Sequence, residues 1–336
     1  MAKKEMTYAQ AICNALDQEM ARDKNIVQLG EDIGFIGGNF KCTVGLLEKY
    51  GDLRVKDTPI SEQGFVGMGV GMALTGLRPV IELMFSDFLL VAGDQVFNQM
   101  TKIRYMSGGQ ANVPMTIRCP IGAGRSSAAQ HSQSIQAMAA HFPGAKVVLP
   151  STNDELACLP STATEAAGLL KTAIRDDDPV IFLEHKMVYN KKFEVEENVD
   201  PIPFGKARIA REGKDITIVA TSSMVMKSEE AAERLAKEGI DCEIIDLRTL
   251  VPLDKETVIE SVKKTGKLIV ADEDYERCGV GAEIAAAIAD DVFYYLDAPC
   301  GRVNNPNVPL PFSPALEFPL IPSAEKVYEK VKTYFK

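Results

Sequence analysis

Short apolar runs alternate with helix-periodic stretches along almost the whole chain, and this alternation constrains the fold more than any other feature. Ile26–Leu29, Arg78–Met84, Met115–Cys119, Lys146–Leu149 and Val180–Leu183 read as strands. Runs this short and continuous suit strands covered on both faces, as in a parallel sheet. Helical signals lie between them. Thr7 with Gln10 three residues later has the spacing of a capping box, and Ala11, Ile12, Ala15 and Leu16 follow at helical intervals. Asp87–Tyr105 also reads as a helix. Asn190–Phe204 is charged, holds two prolines and lacks periodicity, which predicts a linker.

A second series follows: strand Asp215–Ala220, helix Lys227–Glu238, strand Cys242–Asp246, helix Lys255–Lys264, strand Lys267–Ala271 and helix Gly281–Ala289. The expectation is an α/β chain of two doubly wound, mainly parallel-sheet domains, 1–189 and 205–336, joined by 190–204. Five prolines between Pro306 and Pro319 predict an extended, docked tail. PSTNDELACL from Pro150 is followed by PSTATEAAGL from Pro160, a tandem duplication that matches at six of ten positions.

At 336 residues the chain is long enough for two cores. Its 37 Lys and Arg against 47 Asp and Glu leave a net charge of −10. Such a surface repels phosphates, which argues against nucleic acid and anionic membranes as partners. No apolar run approaches the ~20 residues of a membrane helix. The N-terminal MAKKEMTYAQ has no apolar core after its lysines, so a cytoplasmic location without a signal peptide is expected. Seven scattered cysteines without a C-x-x-C suit a reducing compartment, and with only three histidines they argue against a zinc site.

The loop GEDIGFIGG (Gly30–Gly38) lacks dinucleotide-binding spacing, and neither a Walker A nor a G-x-S-x-G motif is present. In TPISEQGFVGMGVGMALTG, Ser61 reads as an N-cap and Glu62 stands in the first helical turn. Glu62 then either complements the helix dipole or serves as a catalytic carboxylate. Gly64, Gly67, Gly69 and Gly71 each cost the helix ~1 kcal/mol relative to alanine, so it must gain from close approach of another helix or a ligand. Phe85, Phe88 and Phe97 recur as a core stripe would. In AGRSSAAQHSQ, His131 sits among small polar residues, either merely hydrogen-bonded or functional.

Together GEDIG, DTPISEQGFVGMGVG, GLRPVIELMFSDF, DQVFNQ, RYMSGGQ, QHSQS, HFPGAKVVLPS, KTAIRDDDPVIF, IDLRTLVPLD and LDAPCGRV stand in one order over nearly the whole chain. The set resembles the beta subunit of the thiamin diphosphate-dependent first component (E1) of 2-oxo acid and acetoin dehydrogenase complexes. The resemblance implies a thiamin diphosphate pyrimidine-binding domain followed by a transketolase C-terminal-type domain. It implies an alpha2-beta2 heterotetramer in which the alpha subunit supplies the GDG…NN motif, absent here, that holds magnesium and the diphosphate. A chain of this kind is expected to be active only with alpha and to pass its product to a lipoyl-bearing dihydrolipoyl acyltransferase.

Residue by residue, the resemblance assigns Glu62 to the pyrimidine ring nitrogen, where its carboxyl favours the imino tautomer that removes the thiazolium C2 proton. It places Glu31, Ile60, Ser61, Met84 and Phe88 around the cofactor, with Phe88 stacked on the ring. Phe88, Leu89, Leu90 and Val91 would line the substrate side, and His131 would orient substrate or carry a proton during transfer to the lipoyl group. Carbonyls of Met115, Ala173, Ile174, Asp176 and Asp178 would hold a potassium ion. Phe182–Lys186 (FLEHK), Leu296–Pro299 (LDAP) and Pro311–Glu317 (PFSPALE) favour the acetoin-cleaving branch. Pyruvate or another 2-oxo acid is the alternative substrate. A non-catalytic assembly subunit is the alternative of another class, and the presence of Glu62, Phe88 and His131 speaks against it.

Overall fold

A computed structural model describes residues 3–151 and 162–336, so half of the tandem repeat, 152–161, lies outside the described residues. The described chain forms two compact units. The first takes 3–121, 138–148 and 162–204, and the second takes 122–137, 149–151 and 205–336.

In chain order the first unit begins with β1 (Lys3–Thr7), α1 (Tyr8–Arg22), β2 (Ile26–Gly30), α2 (Leu46–Tyr50), β3 (Val55–Asp57), α3 (Glu62–Leu74) and β4 (Arg78–Glu82). It continues through α4 (Ile103–Met106), β5 (Thr116–Ile121), α5 (Gln136–His141, its first two residues in the second unit), β6 (Lys146–Val148), α6 (Thr162–Arg175), β7 (Val180–His185) and β8 (Lys192–Glu196). The capping box at Thr7 is formed in full, with the Thr7 hydroxyl accepting from Gln10 and the Gln10 side chain accepting from Thr7. Six strands pair in parallel in the order β6-β7-β5-β4-β2-β3. Residue alternation along each strand then feeds two different layers. Val80, Val180 and Phe182 join one buried cluster with α1 and α6, whereas Ile81 points the other way, against Gly69 of α3. A Cβ on Gly69 would stand 2.9 Å from Ile81, so this glycine sets the spacing of helix and sheet. The sheet is therefore doubly wound, as expected.

Two expectations are corrected here. The segment 190–204 is not a free linker. Its β8 pairs antiparallel with β1, Val195 and Val199 are buried, and Lys171 Nζ donates to the Val199 carbonyl at 2.7 Å. Charged residues alternate with Phe193 and Val195 in a two-stranded edge, a pattern too short to read as periodicity. The helix expected over Asp87–Tyr105 is broken into a 3-10 turn (Ser86–Leu89), a π-helical stretch (Gln95–Met100) and α4. The Asp94 carboxylate accepts from Asn98 and Gln99, and the Thr101 hydroxyl donates to the Phe97 carbonyl. Such local side-chain bonds compete with a regular helix.

The second unit carries β9 (Arg208–Arg211), β10 (Ile216–Ala220), α7 (Ser223–Ala236), β11 (Cys242–Asp246), β12 (Thr249–Val251), α8 (Lys255–Thr265), β13 (Leu268–Tyr275), α9 (Val280–Val292), β14 (Gly301–Asn305), α10 (Pro314–Glu317) and α11 (Ala324–Lys332). Its sheet order is β14-β13-β10-β11-β9, parallel except for β9. Ile216, Ile218, Ile244 and Ile269 pack with α7 and α11. On the opposite face Thr217 bonds Ser261 and Thr265 of α8, each at 2.7 Å. The tail is docked but not wholly extended, since it forms α10 and α11.

A charged cluster lies inside the first sheet. The Arg118 side chain is 2% exposed and donates to Glu82 at 2.8 Å and to Glu184 at 2.7 Å, linking β5 to β4 and β7. Burial, reinforced by the Glu82 charge, pushes the Glu184 carboxyl up to about 7 against the pull of Arg118. Between its unfolded value near 4.5 and about 7 the folded chain binds the extra proton, so this group's contribution to stability falls as pH rises through that window. Arg118→Met should cost about 3–5 kcal/mol, because it leaves buried carboxylates without their cation. Urea unfolding should show a larger loss at pH 8 than at pH 5, where the carboxyls can protonate.

Candidate active site

The residues assigned to the pyrimidine half converge because three neighbouring strands end together. In the sheet register, Gly30 at the end of β2 lies opposite Asp57 at the end of β3 and Glu82 at the end of β4. The chain leaving β2 gives Glu31, that leaving β3 gives Ile60, Ser61 and Glu62, and that leaving β4 gives Met84 and Phe88. Ligands of open α/β sheets bind at this carboxyl-terminal edge. Gly30 is needed there for space, since a Cβ would stand 2.6 Å from the Glu82 carbonyl oxygen.

Two carboxylates face each other electrostatically at this edge. Glu62 is buried at the first position of α3, where the positive end of the helix favours its charge. Glu31 is buried as well. Burial and then the Glu62 charge push its carboxyl up to about 7, opposed by a hydrogen bond from the Ser61 backbone N–H. Glu31 Oε1 has no hydrogen-bond partner. At neutral pH Glu31 is therefore near its own midpoint. Ser61 and Ile60 are exposed, Ile60 by 83%, and Met84 is half-buried.

Phe88 is half-buried and meets Phe85 edge-on at 6.0 Å. Phe85 in turn meets Phe40 and lies under Lys186. Leu90 and Val91 are half-exposed, but Leu89 is fully buried. Leu89 belongs to the packing beneath the site and does not line a substrate surface. The 3-10 turn alternates its side chains between core and edge, which a four-residue lining run cannot satisfy.

His131 belongs to the second unit. It ends a 3-10 turn (Ala129–His131) whose N–H donates to the Ala128 carbonyl at 3.3 Å, and it is half-buried. Carboxylates that the sequence reading passed over tie the backbone around it. Ala123 N–H donates to Glu273 at 2.7 Å, and Glu317 accepts from Gly124 at 2.8 Å and Ser126 at 2.9 Å. Asp272 accepts from Gln136, and Asp274 from Ala137.

Four of the carbonyls expected to hold potassium, those of Met115, Ala173, Ile174 and Asp176, take hydrogen bonds within the fold. The Met115 carbonyl accepts from Val180 in the sheet, and the Ala173 carbonyl accepts from Asp176 at the end of α6. Arg78 Nη1 donates to the carbonyls of Ile174 at 3.2 Å and Asp176 at 2.9 Å. A guanidinium thus supplies the cation that the negative end of α6 attracts. Lys146 neutralises the Asp176 carboxylate at 2.6 Å, and Arg104 stands 3.7 Å from that of Asp178. Among the described residues no group of three or more His, Cys, Asp or Glu side chains could hold a metal ion, and no helix is long and apolar enough to cross a membrane.

Two outcomes follow from this geometry. Glu31→Gln should raise the melting temperature of the unliganded chain at pH 8 by roughly 2–4 °C, since Glu31 otherwise loses its stabilising proton between about 4.5 and 7. The gain should vanish near pH 4.5 in a thermal-denaturation series. Replacing potassium by sodium at constant ionic strength should leave the melting temperature of the wild type unchanged, because Arg78 already supplies the cation.

Comparison with known proteins agrees with both halves of the fold. Residues 4–192 match the transketolase pyrimidine binding domain and 205–327 match the transketolase C-terminal domain. The chain is 46% identical to the pyruvate dehydrogenase E1 component subunit beta of Rickettsia felis, over 98% of both chains. It is 48% identical to the acetoin:2,6-dichlorophenolindophenol oxidoreductase subunit beta of Cupriavidus necator, over 97% of this chain and 96% of that one. Among solved structures it resembles a split-gene transketolase, described as an inactive beta4 tetramer, with a TM-score of 0.74, 22% identity and coverage of 98% and 97%; that likeness bears on the fold. A sheet edge carrying a buried carboxylate pair, followed by a second parallel-sheet unit and matched end to end by these relatives, makes the chain a member of the transketolase-like E1 beta-subunit family, whose cofactor is thiamin diphosphate.

Proposed function

We propose that this chain is the beta subunit of an acetoin-cleaving E1 that works with an alpha subunit in an alpha2-beta2 heterotetramer. It would pass the two-carbon unit to a lipoyl-bearing dihydrolipoyl acyltransferase. The observation that carries the reading is the Glu31–Glu62 pair at the carboxyl edge of β2 and β3. Glu31 Oε1 is a buried acceptor without a partner, the kind of orphan that a ring amine or nitrogen of the aminopyrimidine would meet. Bound there, thiamin diphosphate supplies a nucleophilic carbon for carbonyl substrates. Glu62 would share a proton with the pyrimidine nitrogen, its carboxyl held in place by its burial at the start of α3. Phe88 would stack on the ring, while Leu90 and Val91 offer half-exposed apolar surface to the substrate. His131 would act at the transfer to lipoamide. The diphosphate and its magnesium would be held by the alpha subunit, since this chain lacks the GDG…NN motif and its described carboxylates form no metal cluster.

Acetoin is supported by FLEHK, LDAP and PFSPALE and by the 48% identity to the acetoin-enzyme subunit. Pyruvate is the second reading, favoured by 46% identity to beta subunits named for pyruvate dehydrogenase, from Rickettsia felis and from rice mitochondria. The test is titration and turnover. Calorimetric titration of the isolated chain with thiamin diphosphate and magnesium should give no tight binding, and addition of an alpha subunit should restore it. Micromolar binding by the isolated chain would overturn the two-subunit reading. The reconstituted pair should then reduce an artificial acceptor faster with acetoin than with pyruvate; the reverse order would move the assignment to pyruvate.

A further inference from the structure

We infer that Glu317 is a positioning residue for the His131 loop, reaching it from 191 residues beyond Ser126 in the chain. The observation begins with an inverted burial pattern. On α10, Leu316 and Phe318 are 62% and 54% exposed, while the carboxylate between them is fully buried. Packing alone would put the apolar side chains inward and the charge outward. A buried carboxylate must also be met by donors, and these come from the loop. Oε1 accepts from Gly124 N–H at 2.8 Å, and Oε2 accepts from Ser126 N–H at 2.9 Å and from its hydroxyl at 3.0 Å.

These bonds fall on backbone that would not hold its shape unaided. Gly122 and Gly124 have φ of 91° and 99°, and Ser126 and Ala128 have φ of 54° and 62°. Left-handed conformations at residues with a Cβ cost about 1–3 kcal/mol each and persist only where surrounding contacts over-determine them. Ala128 is the residue whose carbonyl closes the turn ending in His131. The path is therefore continuous: Glu317 fixes Ser126, Ser126 and Ala128 set the chain direction, and that direction aims His131. Glu273 anchors the loop entrance at Ala123, itself held by the Ser223 hydroxyl at 2.8 Å, and Asp272 and Asp274 anchor its exit. Glu317 alone among these grips the middle. It also gives PFSPALE a physical task beyond marking a branch of the family.

The inference rests on His131 acting at transfer to lipoamide, and the experiment separates the two claims. In the complex reconstituted with an alpha subunit, lipoamide reduction is compared with reduction of 2,6-dichlorophenolindophenol for wild type, His131→Ala, Glu317→Gln and the double variant. A Gln at 317 turns an NH2 group toward an N–H or O–H donor, so the loop loses its grip. Glu317→Gln should lower lipoamide-dependent kcat by about 10²-fold, the loss typical of a reacting group misplaced by ~1 Å, with KM for the carbonyl substrate and the dye rate unchanged. In the His131→Ala background the same change should cost little more. Wild-type lipoamide turnover in Glu317→Gln, or additive losses in the double variant, would overturn the inference while leaving the role of His131 standing. Wild-type turnover in His131→Ala would overturn both. Should Glu317→Gln fail to assemble, Ser126→Ala keeps the Cβ, removes only the hydroxyl donor and should give a smaller loss with the same split; an unaltered kcat there would also overturn the inference.

Discussion

The first sheet is organised around a guanidinium placed where a parallel sheet is normally apolar. Arg118 is held between Glu82 and Glu184 on the strands at either side, so three adjacent strands are linked by side chains as well as by their ladder. An ion cluster of this kind is weak evidence for stability, because desolvation offsets most of its attraction. Its effect is on registry: once the cation is buried, no slipped pairing satisfies both carboxylates. That registry aligns the ends of β2, β3 and β4, from which Glu31, Glu62, Met84 and Phe88 emerge. Glu82 also fills the space beside Gly38, where a Cβ would lie 2.6 Å from its carboxylate, so the glycine-rich loop is seated on the same cluster.

Above that base, the proposed chemistry rests on two carboxylates in unlike surroundings. Glu62 sits on a helix N-terminus, while Glu31 is desolvated and feels the charge of Glu62. A single protein chain gains nothing from burying Glu31 Oε1 without a partner, and the loss is intelligible when a ligand supplies the missing donor. Elsewhere in the unit, Arg78 donates to the Ile174 and Asp176 carbonyls, two of the five expected to face potassium.

Much of the fold was legible because it is written in local patterns. The capping box at Thr7, the short strands buried on both faces and the doubly wound alternation follow from residues within a few positions of one another. What was not legible depends on distance along the chain. The partners of Glu317 lie 191 residues away at Ser126, and those of Arg118 lie 36 and 66 residues away, beyond any periodicity. The strand expected over Lys267–Ala271 runs on to Tyr275 through three successive carboxylates, Asp272, Glu273 and Asp274. All three are buried, and they receive bonds from the loop after β5. Of the site itself, Glu62 and His131 were open candidates from pattern alone and the resemblance gave them and Phe88 their roles, while the burial of Glu31 and of Leu89 needed coordinates.

The central claim is that the Glu62 carboxyl governs proton transfer at the pyrimidine of the cofactor. Hydrogen–deuterium exchange at the thiazolium C2 of thiamin diphosphate, measured by quenched-flow NMR in the complex with an alpha subunit, tests it most directly. Glu62→Gln retains a hydrogen-bonding side chain but removes the shared proton, and exchange should slow by about 10²–10⁴-fold with cofactor still bound. An exchange rate equal to that of the wild type, at equal cofactor occupancy, would contradict the account.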